Sequence, residues 1–459
     1  MANSDNYDVA IIGAGLAGTA IARHISGSNA RIIVIDAGND VGQGASSATS
    51  GIWHTGFDTL PSSPLSMLVK RGYLMLQEYA FRANIPIEKT GSIAVAWGDD
   101  EIAMLTEMER RAHLNGFTNA RLLTQQEVLD IEYALGPNVV AGLEIPDEGL
   151  VCSWTTALAF ATQARNNDVD FWFGVRVAAA QRRPDLLWRL TMNSGEEIVA
   201  KYVVNAAGVF CDDVDAMFGH DDFTIVPTVG TYLTFDKLSR PLFSHIITPV
   251  LGAVGRASIS PTIYGNTSIG PVLRASASKT DSEVTPDAIT QLVEFGEFAA
   301  PRLLDFEVTS MHAGSVPISS KNEMHVQEHS AQRYICVGAL GSKGLTTCMA
   351  IAEEVSRHLT AMGFQARRPL ASTIPVMPNI GEHFVRPYQR QEFAQSAAGY
   401  GDIVCFCERV TRAEIEDALA SAIPPNDVAG IMRRTRATMG RCQGADCSAR
   451  VRDMLSAPR

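Results

Sequence analysis

Four cysteines near the C-terminus have the spacing of a metal centre. Cys405 and Cys407 are separated by one residue, 34 residues follow, and Cys442 and Cys447 are separated by four. Four thiolates can hold either a zinc ion or a [2Fe–2S] cluster. A C-x-C pair is tighter than the spacing of about two to four residues in common zinc sites. The pattern favours a [2Fe–2S] cluster, with zinc as the alternative.

A second group of residues predicts a nucleotide site near the N-terminus. Gly13, Gly15 and Gly18 form G-x-G-x-x-G directly after an apolar run, and Asp36 follows 23 residues after Gly13. Such glycines allow a tight turn and a close approach of the backbone to a pyrophosphate, and the acid can accept hydrogen bonds from a ribose. These residues predict a dinucleotide site, and the motif alone leaves FAD and NAD open.

Other polar segments are placed to complete this site. Residues 41–58 are rich in Gly, Ser and Thr, which after a dinucleotide unit favours a loop along the cofactor. A predicted strand at 197–204 ends in Asn-Ala-Ala-Gly, and a helix is expected to begin near Leu345, after a glycine-rich turn. Free N–H groups at a helix start can stabilise negative charge on a bound ring. Residues 224–269 alternate as in an antiparallel sheet, which we expect to face the substrate.

The composition is that of a globular protein. The 459 residues suffice for about three domains. The net charge of −12 argues against nucleic acid or an anionic membrane as the main partner. No apolar run approaches the ~20 residues of a transmembrane helix, and the polar N-terminus lacks a secretory signal. We expect a cytoplasmic protein, with peripheral attachment to a membrane through a partner left open.

Taken together, the motifs resemble one known group. The GAGLAG turn, the GASSATSGIWHTG loop, VVNAAG and GSKGLT are similar to the FAD-dependent D-amino-acid-oxidase-like superfamily, in its glycerol-3-phosphate dehydrogenase and L-2-hydroxyglutarate dehydrogenase branch. The tail RRTRATMGRCQGADC resembles a BFD-like [2Fe–2S] domain. This pairing is similar to the large subunits of anaerobic glycerol-3-phosphate dehydrogenases. The resemblance implies FAD and a [2Fe–2S] cluster as cofactors.

The resemblance also implies an α/β fold. It would comprise a Rossmann-type FAD-binding domain with an inserted antiparallel β-sheet substrate domain, plus a small helical C-terminal [2Fe–2S] domain. We expect the oxidoreductase in residues 1–366, with FAD-binding segments at about 1–80, 150–220 and 330–366 and the substrate domain at about 81–149 and 221–329. Residues 367–401 would be a linker or wrapping segment, and 402–459 the cluster domain.

The resemblance assigns a set of FAD-binding residues, which lie in the glycine turn, the polar loop, an adenine-side strand and the two later turns. They are Gly13, Gly15, Leu16, Ala17, Gly18, Asp36, Ala37, Ser46, Ser47, Thr49, Ser50, Gly51, Val177, Ala206, Ala207, Gly208, Gly341, Lys343, Gly344, Leu345 and Thr346. The metal ligands would be Cys405, Cys407, Cys442 and Cys447. The arginines at 433, 434, 436 and 441 would offset the negative charge of the cluster and its thiolates.

Three residues are candidates for catalysis. His54 matches the histidine of an H-x-G motif beside the flavin, where it would take a hydroxyl proton; the alternative is a histidine that only hydrogen-bonds in its loop. Lys343 stands where the family usually has proline, and we expect it to stabilise the reduced, anionic flavin. Because Val229 replaces a usual basic residue and segment 312–317 lacks an arginine, Arg274 is the remaining anion clamp, or else a surface arginine. His312 and Tyr232 are further candidates for substrate contact.

We therefore expect an FAD-dependent dehydrogenase that oxidises a secondary alcohol of a small hydroxy acid or polyol (phosphate). The cluster would pass electrons to an acceptor protein or a quinone-linked partner, and a hetero-oligomer is open. One alternative is oxidation of an amino or imino acid at the same flavin. Others are a non-catalytic redox-sensing module and a flavin subunit whose catalytic pocket lies on a partner chain.

Overall fold

The structure is a computed structural model that describes residues 6–27, 29–250, 257–321, 323–365, 373–396 and 399–457. The strands in these ranges are β1 (Asn6–Ile12), β2 (Ile32–Asp36), β3 (Ile52–Trp53), β4 (Ile87–Glu88), β5 (Ser92–Ala96), β6 (Arg121–Thr124), β7 (Ala141–Ile145), β8 (Gly149–Val151), β9 (Asp170–Phe173), β10 (Val177–Arg182), β11 (Trp188–Met192), β12 (Glu197–Asn205), β13 (Ile225–Phe235), β14 (Ile246–Pro249), β15 (Ser258–Pro261), β16 (Thr267–Ala275), β17 (Val308–Ser319), β18 (His325–His329), β19 (Tyr334–Gly338), β20 (Ile403–Cys405) and β21 (Val410–Thr411).

The helices in the same ranges are α1 (Leu16–Ile25), α2 (Pro64–Ala83), α3 (Ile102–Leu114), α4 (Gln125–Ile131), α5 (Ser153–Asn166), α6 (Cys211–Met217), α7 (Pro286–Ala299), α8 (Gly344–Ala361), α9 (Gln391–Ser396), α10 (Arg412–Leu419), α11 (Val428–Thr435) and α12 (Ser448–Ser456). The helix expected near Leu345 is α8, which begins one residue earlier.

The first sheet is mixed and carries the nucleotide motif. Its strands run in the order β10-β11-β12-β1-β2-β9, and β19 pairs with the second half of β12. β1 lies between β12 and β2, parallel to both. One face is covered by α1, which packs against α5 and α8. Eight of the ten residues of α1 are buried, because its small alanines allow close packing on both neighbours.

The second sheet lies beside the first and is mostly antiparallel. Its order is β17-β13-β16-β15-β14-β5-β7-β6, and β14 pairs with β5 in parallel. Strands from residues 92–145 and from residues 225–319 therefore share one sheet. α7 packs on it, with Leu292 and Phe295 buried among side chains of β13, β14, β15 and β16. The expected α/β class, with a second antiparallel layer, is confirmed.

A small helical unit closes the chain. α10, α11 and α12 surround a core that includes Val404, Ile415 and Ile431. Thr411 caps α10 in a capping box with Glu414, as the sequence predicts. The segment before this unit runs along the oxidoreductase part, where Met377 N–H donates to the backbone oxygen of Ala83. Within the predicted wrapping segment, residues 367–372 and 397–398 lie outside the described residues.

Candidate functional site

The turn between β1 and α1 has room only for glycine at three positions. A Cβ at Gly13, whose φ is +110°, would lie 2.3 Å from the backbone oxygen of Ala206. A Cβ at Gly18 would lie 1.9 Å from the backbone oxygen of Gly13, and one at Gly15 would lie 2.9 Å from Ser46 Oγ. The glycines thus let α1 begin directly against β1, which places the start of the helix where it could face a phosphate.

Asp36 ends β2 and is held by the same turn. Its Oδ2 accepts a hydrogen bond from Ala14 N–H, and its Oδ1 accepts one from Gly38 N–H at 2.7 Å. Burial raises the pKa of Asp36, and the two backbone bonds oppose this rise. The predicted adenine-side strand begins nearby, because Val175 N–H donates to the Asp36 backbone oxygen. Val177 itself is buried in the core at the first position of β10.

The polar loop after β2 follows the edge of the turn. Ser46 Oγ accepts from Leu16 N–H at 3.0 Å, and the backbone oxygen of Ser47 accepts from the Trp154 indole. On the other side, a Cβ at Gly314 of β17 would lie 2.2 Å from Ala48 Cβ. The loop therefore separates the glycine turn from the second sheet.

The later turns close the same space, which we call the flavin cleft. It is bounded by the glycine turn, residues 44–51, residues 206–210, residues 341–346 and the β17 face that contains Gly314. Most of the predicted FAD-binding residues lie in these segments. Ala206 N–H donates to the Ile12 backbone oxygen at 2.8 Å, which fixes the Asn-Ala-Ala-Gly turn beside the first one.

His54 lies at the border of this cleft. Its backbone N–H donates to Thr346 Oγ1, in the first turn of α8, at 2.9 Å. Its ring Nδ1 lies 3.5 Å from Glu148 Oε2, and the Glu148 side chain is only 2% exposed. Glu148 Oε1 also accepts bonds from the N–H and the hydroxyl of Thr55, at 2.6 and 2.7 Å. The carboxylate thus orients both the imidazole and its loop.

Lys343 forms a second charged pair at the cleft. Its Nζ lies 3.1 Å from Asp58 Oδ2, and the lysine side chain is 14% exposed. Burial alone raises the pKa of Asp58, but the charge of Lys343 and its hydrogen bond to the carboxylate hold this pKa below its ordinary value. Asp58 is therefore the carboxylate partner of Lys343 at this end of the cleft.

Two aromatic side chains line the sheet side of the cleft. The rings of Tyr232 and His312 are stacked with centroids 5.1 Å apart, on paired positions of β13 and β17. Burial raises the pKa of Tyr232 to about 12 and lowers that of His312. His312 is nevertheless solvent-exposed. The His312 ring is therefore surrounded by protein atoms while part of its surface stays open to solvent.

The structure does not support Arg274 as an anion clamp of this cleft. Arg274 pairs in register with Val229, whose neighbour Gly230 pairs with Gly314. Because successive side chains of a strand point to opposite faces, Arg274 and Val229 lie on the face away from the flavin cleft. The Arg274 guanidinium instead lies 2.8 Å from Asp281 Oδ2. Val229 lies on the same face, so a basic residue at position 229 would not place its charge in the cleft.

The residues present fit FAD. The glycine turn keeps side chains away from the place where a pyrophosphate would lie, because a Cβ at Gly13, Gly15 or Gly18 would meet backbone or Ser46 atoms. Asp36 ends β2 beside this turn, where its carboxylate would meet a ribose, and the first turn of α8 would meet the ring, with Thr346 buried behind it. Bound there, FAD would be held by Gly15, Asp36, the 46–51 loop and the 344–346 turn.

The four predicted cluster ligands converge in the C-terminal unit. Cys407 contacts Cys442, and Cys405 contacts Cys447, so that the thiols form two pairs. Within the described residues, no three His, Cys, Asp or Glu side chains close on a single-ion site. Backbone N–H groups of Asp446 and Gly444 donate to the Cys442 sulfur, and the Asp446 bond contributes most to lowering its pKa. Two thiol pairs with amide donors fit a two-iron cluster, with two thiolates for each iron.

The arginines near these cysteines have a role that the sequence did not predict. Arg433 and Arg434 donate to Asp40 of the oxidoreductase part, and Arg436 donates to Glu382 and Glu408. Arg441 forms an ion pair with Glu307. Each guanidinium group is therefore paired with a carboxylate, with Arg433 and Arg434 sharing Asp40, and neutralisation of the cluster by these arginines stays a prediction. They join the cluster domain to the rest of the chain.

The sequence did not identify three acidic residues that take part in these contacts. Asp40, Asp58 and Glu148 carry no motif, and each gains its role from a distant partner. A weak signal existed for Asp58, which ends the polar loop that contains His54. Glu148 and Asp40 had none, because their contacts span 93 and 394 positions of the chain.

Comparisons with known proteins agree with this geometry. A family model described as FAD dependent oxidoreductase matches residues 8–358, and one described as BFD-like [2Fe–2S] binding domain matches residues 403–457. A glycerol 3-phosphate dehydrogenase of Caloramator mitchellensis is 29% identical, covering 98% of this chain and 94% of the relative. A glycerol 3-phosphate oxidase of Mycoplasma pneumoniae is 26% identical over 77% of this chain and 95% of its own.

A solved structure shows the same fold. The dithionite-reduced L-α-glycerophosphate oxidase of Mycoplasma pneumoniae with FAD bound has a TM-score of 0.76 and 24% identity, covering 82% of this chain and 99% of its own. None of the helices in the described ranges is long and apolar enough to cross a membrane.

Proposed function

The chain belongs to the family of FAD-dependent oxidoreductases, and from this premise we propose that it is a dehydrogenase acting on a secondary alcohol of a small hydroxy acid or polyol phosphate. FAD and a [2Fe–2S] cluster are its cofactors. Glycerol 3-phosphate is the first substrate to test, because the relative named glycerol 3-phosphate dehydrogenase aligns over both parts of the chain.

One observation carries the proposed chemistry. The His54 imidazole lies 3.5 Å from the buried Glu148 carboxylate, and the same residue is tied through its backbone to Thr346 at the ring end of the cleft. A base at this place meets the requirement of alcohol oxidation, in which the hydroxyl proton and the carbinol hydride leave in opposite directions.

Each side chain then has a defined task. The His54 imidazole accepts the hydroxyl proton, and the Glu148 carboxylate stabilises the imidazolium that forms. Lys343 supplies positive charge beside the ring, and Asp58 holds it in place. Tyr232 and His312 line the sheet side, where a substrate would lie against them. Bound FAD supplies the hydride acceptor, and the cluster supplies a one-electron carrier.

The cluster favours a dehydrogenase over an oxidase. A dedicated one-electron carrier is redundant where oxygen takes both electrons directly from a flavin. With a cluster, the two electrons of the alcohol can leave singly toward an acceptor protein or a quinone-linked partner.

An anaerobic substrate screen of the holoenzyme tests this proposal. Glycerol 3-phosphate, other polyol phosphates, hydroxy acids and amino acids are mixed separately with the protein, and flavin and cluster absorbance are followed together. We expect bleaching by one class of alcohol and formation of the corresponding ketone. Bleaching by amino acids alone, with an imine-derived keto acid as product, would assign the chain to amine oxidation instead. Absence of bleaching with every compound would overturn the proposal.

A further inference from the structure

We propose that the cluster domain is also a positioning element for FAD, because α11 fixes the loop that follows Asp36, the predicted ribose-binding residue. The proposal rests on contacts among described residues and on the two cofactors, and it does not depend on which substrate is oxidised. Arg434 and Arg433 act through Asp40 and are positioning residues, since their hydrogen bonds go to Asp40, Gly430 and Ile423.

Both ends of the loop after β2 are tied to the phosphate-binding turn. Ala14, which lies between Gly13 and Gly15, donates its N–H to the Asp36 carboxylate at the start of the loop. The backbone oxygen of Ala14 accepts a bond from Gly42 N–H, at 3.0 Å, at the end of the loop. Any displacement of residues 37–41 therefore acts on Asp36 and on the turn at the same time.

The middle of this loop is held by the cluster domain. Arg434 donates to both Asp40 oxygens through its two terminal nitrogens, at 2.7 Å each, and Arg433 adds a bond of 2.6 Å. The Asp40 side chain is fully buried, and the side chains of Arg433 and Arg434 are 8% and 5% exposed, respectively. A bidentate arginine–carboxylate pair fixes orientation as well as distance.

Two further contacts extend this attachment along the loop. Asn426 Nδ2 donates to the backbone oxygen of Asn39 at 2.7 Å, and Asn39 Nδ2 donates to Asp427 Oδ2 at 2.9 Å. A Cβ at Gly430 of α11 would lie 2.7 Å from Asp40 Oδ2, so glycine permits the close approach. The helix is thus fitted to the loop through several independent contacts.

In the sequence, α11 lies between the C-x-C ligands and the later two ligands of the cluster. Cys407 precedes α11 and Cys442 follows it. Directly after α11, Arg436 bonds to Glu408, the residue next to Cys407. In this proposal, cluster assembly holds α11 in place, and α11 in turn holds the FAD loop. Binding of the cluster and binding of FAD are therefore coupled, and the coupling must be reciprocal.

The test compares FAD affinity in two full-length variants that each lose one contact between the domains. In Arg434→Met, we expect the Kd for FAD, from fluorescence titration of the FAD-depleted chain, to rise about 10-fold, within the usual range of ~5- to 150-fold for coupled sites. Arg441→Met removes an exposed pair with Glu307 that does not touch the FAD loop, and we expect a change of less than about twofold.

Two checks keep this comparison interpretable. Iron content and far-UV circular dichroism must match the wild type, and if Arg434→Met fails to fold, Arg434→Lys replaces it. Lysine keeps the charge but loses the bidentate geometry, so a rise of about threefold is expected. An unchanged Kd in the folded position-434 variant, or an equal rise in both variants, would overturn the proposal.

Reciprocity gives a second readout that does not depend on activity. Addition of FAD to the wild-type chain should slow amide hydrogen exchange in residues 428–435, although these residues belong to the other domain. In Arg434→Met this protection should be lost. FAD-independent exchange of α11 in the wild type would contradict the coupling.

Discussion

Lys343 Nζ lies 3.1 Å from Asp58 Oδ2, at the end of the cleft where α8 begins. In the proposed function, this pair places one positive and one negative charge beside the flavin ring. A cation there favours the reduced, anionic ring, and the carboxylate partly offsets it. The two side chains should therefore shift the flavin potential in opposite directions when they are replaced one at a time.

Lys343→Met is expected to lower the flavin reduction potential by about 30 mV, which corresponds to ~1.4 kcal/mol for a two-electron couple. Asp58→Asn should raise the potential by a similar amount. Anaerobic redox titration with a reference dye measures both values. If Lys343→Met leaves the potential unchanged, the proposed role of the lysine is wrong.

Loss of the proton acceptor should slow flavin reduction by substrate. We expect His54→Asn to reduce this rate by roughly 100- to 1,000-fold, since a positioned base contributes about 10²–10⁴. Glu148→Gln should cost about 10-fold, because the imidazolium loses its carboxylate. Stopped-flow flavin absorbance under anaerobic conditions measures each rate.

The control for these variants is His358→Asn. His358 also contacts a glutamate, Glu328, but it lies in the last turn of α8, away from the cleft. Its replacement should leave the rate of flavin reduction within about twofold of wild type. A rate for His54→Asn that matches this control would show that His54 only hydrogen-bonds in its loop.

Removal of one cluster ligand should abolish electron transfer through the cluster without preventing reduction of the flavin by substrate. In Cys407→Ser we expect loss of the [2Fe–2S] absorbance and of electron transfer to an external one-electron acceptor, while substrate still bleaches the flavin. Cys211→Ser, a buried cysteine outside the C-terminal unit, should retain both. Unimpaired one-electron turnover by the cluster-free Cys407→Ser protein would make the C-terminal domain a structural unit only.

Glu382 gives a stability prediction that depends on pH. Although burial favours its protonated form, the charges of Arg436 and Lys237 lower the pKa of Glu382 to about 2. Because the folded pKa lies below that of the unfolded chain, its stabilisation is fully present above about pH 4.5 and is lost as the pH falls toward 2. We expect Glu382→Gln to destabilise the protein by about 1–3 kcal/mol at pH 7, allowing for solvent screening of a side chain that is 28% exposed.

The difference between Glu382→Gln and wild type should shrink at pH 3.5, where thermal unfolding of both proteins is compared with unfolding at pH 7. Glu354→Gln is the matched control, because Glu354 pairs with Arg357 in an exposed, same-helix contact. Such pairs contribute about 0.3–0.5 kcal/mol. A pH-independent effect of Glu382→Gln would show that the network acts through packing and not through charge.

Local chemistry was predictable from the sequence and long-range geometry was not. The glycine turn, Asp36 and the four cysteines carry their chemistry in short spacings, so their sites could be assigned without the fold. The face on which Arg274 lies depends on strand register, and its sequence neighbours do not reveal that register. Likewise, the arginines of α11 were expected to serve the nearby cluster, but their carboxylate partner Asp40 is almost 400 residues away in the chain.

The central claim is that electrons of an alcohol pass through the flavin to the cluster. Rapid anaerobic mixing of the holoenzyme with the best substrate of the screen tests it most directly, with flavin absorbance and the electron paramagnetic resonance signal of the reduced cluster followed over time. We predict that the flavin is bleached first and that the cluster signal then rises as flavin absorbance partly recovers. A fully bleached flavin beside a cluster that stays oxidised would contradict the account.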